Sequence, residues 1–300
     1  MMMKTLRGVF APVVSTFYQD TGELDVAAFA ANVRAHMAAG LHGVVVAGST
    51  GEAALLDALE RGALVDAARK EVPSDKWLIV GAGAESTRTS LHFARDAAMR
   101  GADAVLVVAP HYYGSAMTAP ALLQHYRRVA DQSPVPVMLY NIPKYMHFSL
   151  APALIAELAR HDNVVGIKDS SGNRDLFASY MTVQSPTFSV FTGNATMFHH
   201  ALASGSPGGI LAAALFAAAL SLDVYHSAAR GDVGAAESAQ SRMTPLGSTI
   251  VGELGVAGVK AAMDRVGMCG GMVRSPLMPL DAIQCAAVEE LLQAAELARV

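Results

Sequence analysis

Residues 164–170 read "VVGIKDS": an unbroken apolar run that closes on Lys168 and then turns polar at once. Such a run is apolar on both faces, which is how a strand reads when a parallel sheet is covered on both sides. The same pattern recurs in "GVFAPVV" from Gly8, "GVVVAG" from Gly43, "WLIVGAG" from Trp77 and "AVLVVAP" from Ala104. It continues in "PVMLYNIP" from Pro136, "FSVFTGN" from Phe188 and "GGILAA" from Gly208, each bounded by turn residues. Helical periodicity fills the gaps. "DVAAFAANVRAHMAAG" ends at Gly40 and "STRTSLHFARDAAMRG" at Gly101, each with a capping residue at its start and glycine at its stop. Strand and helix therefore alternate, and eight such units in fewer than about 230 residues predict a closed (β/α)8, or TIM, barrel over an open doubly wound sheet.

No linker interrupts the alternation, which places the barrel over residues 1–215. Residues 216–300 are helical in pattern, with "ARGDVGAAESAQSR" as one helix connection and the Pro/Gly-rich "GMCGGMVRSPLMPL" as a break before a last helix from Asp281. This part is expected to pack on the barrel as a C-terminal helical appendage. The uncharged "GGILAAALFAAALSL" at 208–222 is too short and too alanine-rich for a membrane span, and reads as a buried strand and helix.

Composition narrows the partners. At 52% hydrophobic the 300 residues can build a large core, and 22 basic against 26 acidic residues with no basic run leave no footprint for nucleic acid or an anionic membrane. Small molecules are the expected partners. Cys269 and Cys285 are the two cysteines, without metal-like spacing, so no disulfide framework, zinc site or other metal is indicated. The start, "MMMKTLRGVFAPVVS", lacks the apolar stretch and cleavage site of a signal peptide, and a cytoplasmic setting is expected.

In such barrels the chemistry sits where strands end and βα loops begin. Those ends offer Ser49, Thr50 and Glu52 after the second strand and His111, Tyr112 and Tyr113 after the fourth. They offer Tyr140 and Asn141 on the fifth, Lys168 on the sixth, and Gly193 with Asn194 on the seventh. Hydroxyls and one amine dominate. A lysine after an apolar run can simply mark a strand emerging into water. Among hydroxyls at a barrel mouth it suits Schiff-base chemistry, because the amine must be unprotonated to attack a carbonyl and an apolar wall penalises the charged form. A phenol such as Tyr140 can shuttle protons, and the small residues of "GSTGE" at 48–52 expose backbone N–H groups that can hold a carboxylate. Together these describe a site for a 2-oxo acid.

Other signals read as structure. "GAGAES" at 81–86 lacks the third glycine of a dinucleotide fingerprint and reads as a βα loop. His199 and His200 are adjacent on a helix and cannot share a face. Glu52 is placed at the start of the helix after the second strand, where a charge at a helix N-terminus competes with a catalytic role. Arg174 reads as a solvated arginine near the "SSGN" loop.

"GSTGE", "YNIP" and "GIKDSSGN", in this order on strands two, five and six, resemble the dihydrodipicolinate synthase and N-acetylneuraminate lyase superfamily of class I, pyruvate-handling aldolases. The resemblance runs from "GVFAPVVSTF" to "RSPLMPL". It implies that Lys168 forms the imine with pyruvate, that Tyr140 transfers protons and that Ser49 is the relay hydroxyl. It also implies that Thr50 holds the pyruvate carboxylate, that Gly193 and Ile210 line the pocket through backbone groups, and that Ser171 and Asn173 lie beside the lysine. Tyr113 matches a tyrosine that in many members reaches into a neighbouring subunit's site, and a homotetramer of two tight dimers, without a cofactor, is the assembly implied. One departure stands out. Where the lysine-biosynthetic synthases carry an arginine two residues past the proline, "YNIPKYM" has Tyr145, preceded by Lys144. A tyrosine cannot replace a planar, bidentate clamp. The motifs look closer to the 4-hydroxy-2-oxoglutarate and 2-keto-3-deoxy sugar acid aldolases, so a lyase releasing pyruvate is the expected activity. The condensing synthase is the alternative, with sialic acid lysis or a non-enzymatic keto-acid sensor behind it.

Overall fold

The computed structural model describes residues 5–297. Its eight strands are β1 (Gly8–Pro12), β2 (Gly43–Val46), β3 (Trp77–Gly81), β4 (Ala104–Val108), β5 (Val137–Asn141), β6 (Val164–Asp169), β7 (Ser189–Thr192) and β8 (Gly208–Ile210). They close in sequence order into a parallel barrel, β8 returning to β1. All eight sequence-read strands are present, and nearly every strand residue is buried, as a sheet lined inside by side chains and outside by helices requires.

The helices start where short polar side chains can satisfy the first free N–H groups. Asp25 caps α1 (Val26–Ala38), Asp57 forms a capping box with Glu60 on α2 (Ala58–Glu71), and Ser86 caps α3 (Thr87–Met99). Thr118 caps α4 (Ala119–Gln132); the short α5 (Pro143–Met146) and α6 (Pro152–Leu158) each begin on proline. Asn173 caps α7 (Arg174–Met181), and α8 (Phe198–Ala203) precedes β8. Gly40 and Gly101 follow α1 and α3 at φ +89° and +87°, the left-handed stop expected of them.

Past β8 come α9 (Ala218–Ala229) and α10 (Val233–Pro245), the most extensively packed pair of elements. Pro245 has no N–H to give the helical ladder, and the chain widens directly after it into π-helical turns over Leu246–Glu253. Then follow α11 (Gly255–Arg265) and α12 (Ala282–Ala294), the latter with an Asp281 capping box. The 208–222 stretch divides into β8, a 3-10 turn and the start of α9. Among the described residues no helix is long and apolar enough to cross a membrane.

Three histidines fill the body of the protein in neutral form. Burial lowers His36, His42 and His125 from the ordinary value of 6.5 to about 4, and at His42 the nearby Lys76, His226 and Arg7 add to it. The Nε2 atoms of His36 and His125 are buried without a hydrogen-bond partner. Above about pH 6.5 these groups are neutral folded or unfolded. As pH falls from 6.5 towards 4 the unfolded chain takes up protons that the native state refuses, so stability declines with falling pH across that window. For the fully buried His36 the loss is on the order of 3 kcal/mol. Urea unfolding at pH 7 and pH 4.5 should show this as a fall in the midpoint, and equal midpoints would refute the burial argument.

Candidate active site

Each strand points successive side chains to opposite sides, so the residues that end β5 and β6 divide between the barrel interior and its outer layer. Tyr140 and Lys168 are register partners on these neighbouring strands and both face the mouth. Lys168 is 5% exposed and Tyr140 4%, and the ammonium nitrogen of Lys168 lies 4.3 Å from the centre of the Tyr140 ring. The next pair, Asn141 and Asp169, turns the other way. Asn141 Nδ2 donates to Asp169 Oδ1 at 2.7 Å, while Asn141 Oδ1 accepts from Leu150 N at 2.9 Å. Burial pushes the Asp169 carboxyl up, against the downward pull of hydrogen bonds from Asn141 and Ser171.

Lys168 and Tyr140 open into a cavity of about 260 Å³ at the C-terminal ends of the strands. Seven of the nine residues that the family resemblance points to line it: Ser49, Thr50, Tyr140, Lys168, Ser171, Gly193 and Ile210. Ser171 is partly committed, since its Oγ donates to Asp169 Oδ2 at 2.8 Å and accepts from Asn173 N at 3.1 Å. Asn173 is occupied with capping α7 and does not line the cavity; neighbouring Ser170 does. Tyr113 stands outside the lining. It is 69% exposed before the turn Gly114–Ala116 and packs edge to face on Tyr112, ring centres 5.0 Å apart. Arg174 is exposed at the start of α7.

Gly193 shows how tightly the amine is housed. A β-carbon there would fall 2.0 Å from Ser170 Oγ and 2.7 Å from Lys168 Cε, so a side chain at this position would have to displace both groups.

The far wall comes from sequence that strand-end reasoning could not reach. Gly247, Val251 and Gly252 of the π-helical turns, with Gly255, Val256 and Val259 of α11, roof the cavity. Lys144 and Tyr145 complete the rim, and Lys144 Nζ donates to Gly252 O at 2.7 Å, tying the segment after β5 to the roof. The glycine spacing of "VGELGVAG" at 251–258 is the one local hint of such a close approach. A second hollow, of about 680 Å³, adjoins the first and shares Ser49, Ile142 and Tyr145 with it; Gly83, Ala84 and Glu85 of the "GAGAES" loop line it.

Glu52 does not open the helix after the second strand. It sits in the left-handed region at φ +55°, ahead of a 3-10 turn, and α2 begins only at Ala58. Its side chain is completely buried, 2.5 Å from Lys260 Nζ of α11, and its Oε2 accepts from Arg274 N at 2.8 Å. Burial lowers the Lys260 ammonium, the adjacent Glu52 carboxylate opposing it.

Comparison with known proteins identifies the family and the fold. The model of the dihydrodipicolinate synthetase family matches residues 5–295. The chain is 33% identical over 272 residues to a 4-hydroxy-tetrahydrodipicolinate synthase of Methanospirillum hungatei JF-1, covering 90% of this chain and 92% of that one. It is 34% identical over 287 residues to the protein of the same name from Stenotrophomonas maltophilia K279a, covering 96% and 95%. Among solved structures, YagE, a prophage protein from E. coli K12 in complex with pyruvate, superposes with a TM-score of 0.91 at 29% identity, covering 98% of this chain and 99% of that one. A dihydrodipicolinate synthase from Acinetobacter baumannii, also complexed with pyruvate, gives 0.92 at 27% identity, with 98% and 100% covered.

The close approach at Gly193 has a measurable cost. Gly193→Ala should destabilise the protein by about 1–3 kcal/mol, the usual penalty for forcing a methyl into filled space. Gly114→Ala, which meets no atom within 4 Å, should leave stability unchanged. Urea titrations of the two variants would check this, and equal midpoints would contradict the packing described.

Proposed function

The chain belongs to the dihydrodipicolinate synthetase family, whose members are lyases and synthases of the aldolase type, and from that premise we propose that it is a Schiff-base aldolase acting on a 2-oxo acid, with pyruvate as product or donor. The observation that carries this reading is a buried lysine against a tyrosine ring at the floor of the barrel's mouth. In the proposed cycle Lys168 Nζ adds to the C2 carbonyl. Tyr140 gives its phenolic proton to the departing hydroxyl, water leaves, and an iminium remains. For a 4-hydroxy-2-oxo acid the C4 hydroxyl then returns a proton to the Tyr140 oxygen. The C3–C4 electron pair moves into the iminium, and the aldehyde leaves. Protonation of the enamine at C3 and addition of water at C2 release pyruvate and the free amine.

The remaining groups have roles fitted to this cycle. Ser49 relays the proton between Tyr140 and solvent, Thr50 and its backbone N–H hold the carboxylate beside C2, and Gly193 and Ile210 shape the pocket around the methylene. Ser171, whose hydroxyl proton is given to Asp169, keeps one lone pair that can accept from a substrate hydroxyl. Tyr113, exposed on its own chain, suits a role across an interface in the homotetramer that the family resemblance implies.

Substrates of the 4-hydroxy-2-oxoglutarate or 2-keto-3-deoxy sugar acid type fit best, because Tyr145 occupies the rim where a condensing synthase would present its arginine. A second reading, condensation of pyruvate with aspartate semialdehyde, is favoured by the names of the relatives and by Lys144, a cation on the same rim.

Borohydride reduction in the presence of pyruvate, followed by intact mass and peptide mapping, tests the reaction class. A pyruvyl adduct on Lys168, absent from Lys168→Ala, is expected; no adduct on the folded protein would end the Schiff-base reading. A coupled assay of pyruvate release from 4-hydroxy-2-oxo acids, run beside one with pyruvate and aspartate semialdehyde, then separates lyase from synthase.

A further inference from the structure

The turn that carries Ser49 and Thr50 is not one the chain would hold unaided. Ala47 and Glu52, its two ends, both lie in the left-handed region, at φ +52° and +55°, where residues with a side chain are strained. Three tethers oppose that strain. Ser15 Oγ donates to Gly51 O at 2.7 Å, Arg274 N donates to Glu52 Oε2 at 2.8 Å, and the Glu52 carboxylate pairs with Lys260 Nζ at 2.5 Å. The ammonium is itself fixed, donating to Met272 O at 2.5 Å and lying 4.7 Å from the centre of the Phe17 ring.

Each partner stands close in sequence to a residue of the cavity lining. Glu52 is two residues beyond Thr50, and Lys260 directly follows Val259, and both Thr50 and Val259 line the cavity. Neither charged group lines this cavity, although Glu52 lines the adjoining hollow, so any influence on substrate bound at Lys168 is transmitted through those neighbours. A buried ion pair is an expensive way to fill space, since apolar residues of similar volume often do it at equal or lower cost. What it supplies instead is a short ionic contact between two distant segments, with direction coming from the hydrogen bonds of Arg274 N to Glu52 Oε2 and of Lys260 Nζ to Met272 O.

We propose that Glu52 and Lys260 are a positioning pair for the reaction. Their contact holds the Ser49–Thr50 turn at a set distance from the wall formed by α11, and so aims the Thr50 N–H and hydroxyl at the carboxylate of the 2-oxo acid. This rests on the Schiff-base reading of Lys168 given above.

The test is borohydride trapping on Lys168 across a range of pyruvate concentrations, with circular dichroism to monitor folding. It is run on the full-length protein, on Lys260→Met, on the Glu52→Gln/Lys260→Met double variant and on Ser15→Ala. Lys260→Met strands a buried carboxylate and is the variant most exposed to misfolding. The double variant strands no charge, and Ser15→Ala removes a tether without touching the pair. In the double variant and in Ser15→Ala the adduct should still form on Lys168, with the half-saturating pyruvate concentration raised about ten-fold or more, as misplacement of a binding group by a fraction of an ångström produces. A folded double variant with the wild-type half-saturation would make the pair merely structural and overturn the inference alone. Absence of adduct on the wild-type protein would overturn the Schiff-base reading and this inference with it.

Discussion

The architecture depends on the ring closing where β8 meets β1. The last strand is only three residues long, and it lies so close to the first that a β-carbon on Gly208 would fall 1.9 Å from the carbonyl oxygen of Gly8. Closure pairs Gly8, Val9 and Phe10 with Gly208, Gly209 and Ile210, and leaves no strand with an unpaired edge. It also fixes the mouth. Ile210 is brought round to the cavity that Lys168 enters from β6 and Ser49 and Thr50 from the turn after β2. Were β8 held further out by a side chain, those groups would no longer surround one small volume.

Within that ring, strand alternation separates two kinds of polarity. Lys168 faces inward among hydroxyls, and no carboxylate lines its cavity. Asp169, one residue on, faces outward into a closed set of partners, Asn141 and Ser171, through which it reaches the backbone at Leu150. A strand that ends on lysine and aspartate in succession therefore delivers an amine to one side of the sheet and buries an acid on the other. The buried acid stiffens the segment from which Ser170 and Ser171 project.

Much of this was legible in the sequence because it is local. Runs apolar on both faces mark every strand, Asp25, Ser86 and Asp281 announce helices, and the strand ends supply Ser49, Thr50, Tyr140, Lys168, Gly193 and Asn194 of the cavity, Ser171 and Ile210 being added by the family resemblance. The rest was illegible for a physical reason: it is made by contacts between distant segments. Glu52 and Lys260 are 208 positions apart, and nothing near either residue indicates that it has a buried partner. Glu52 was placed at a helix start because it follows a strand end. The chain instead makes a left-handed step there and delays the helix to Ala58, which sends the carboxylate inward. The roof likewise depends on how α10 departs from regularity after Pro245, a detail that hydrophobic periodicity cannot register.

That irregular roof separates what the barrel inherits from what it can alter. Floor residues sit on strands whose every neighbour is another strand, so a change there propagates around the ring. Gly247, Val251 and Gly252 sit on widened helical turns, and the Gly252 carbonyl accepts from Lys144. Replacing side chains or adding a residue in such turns alters the shape of the ceiling while the eight strands keep their register. The ceiling over Lys168 is thus shaped by a stretch of eight residues that contributes no strand to the barrel, although Leu246 and Ile250 anchor it in the core.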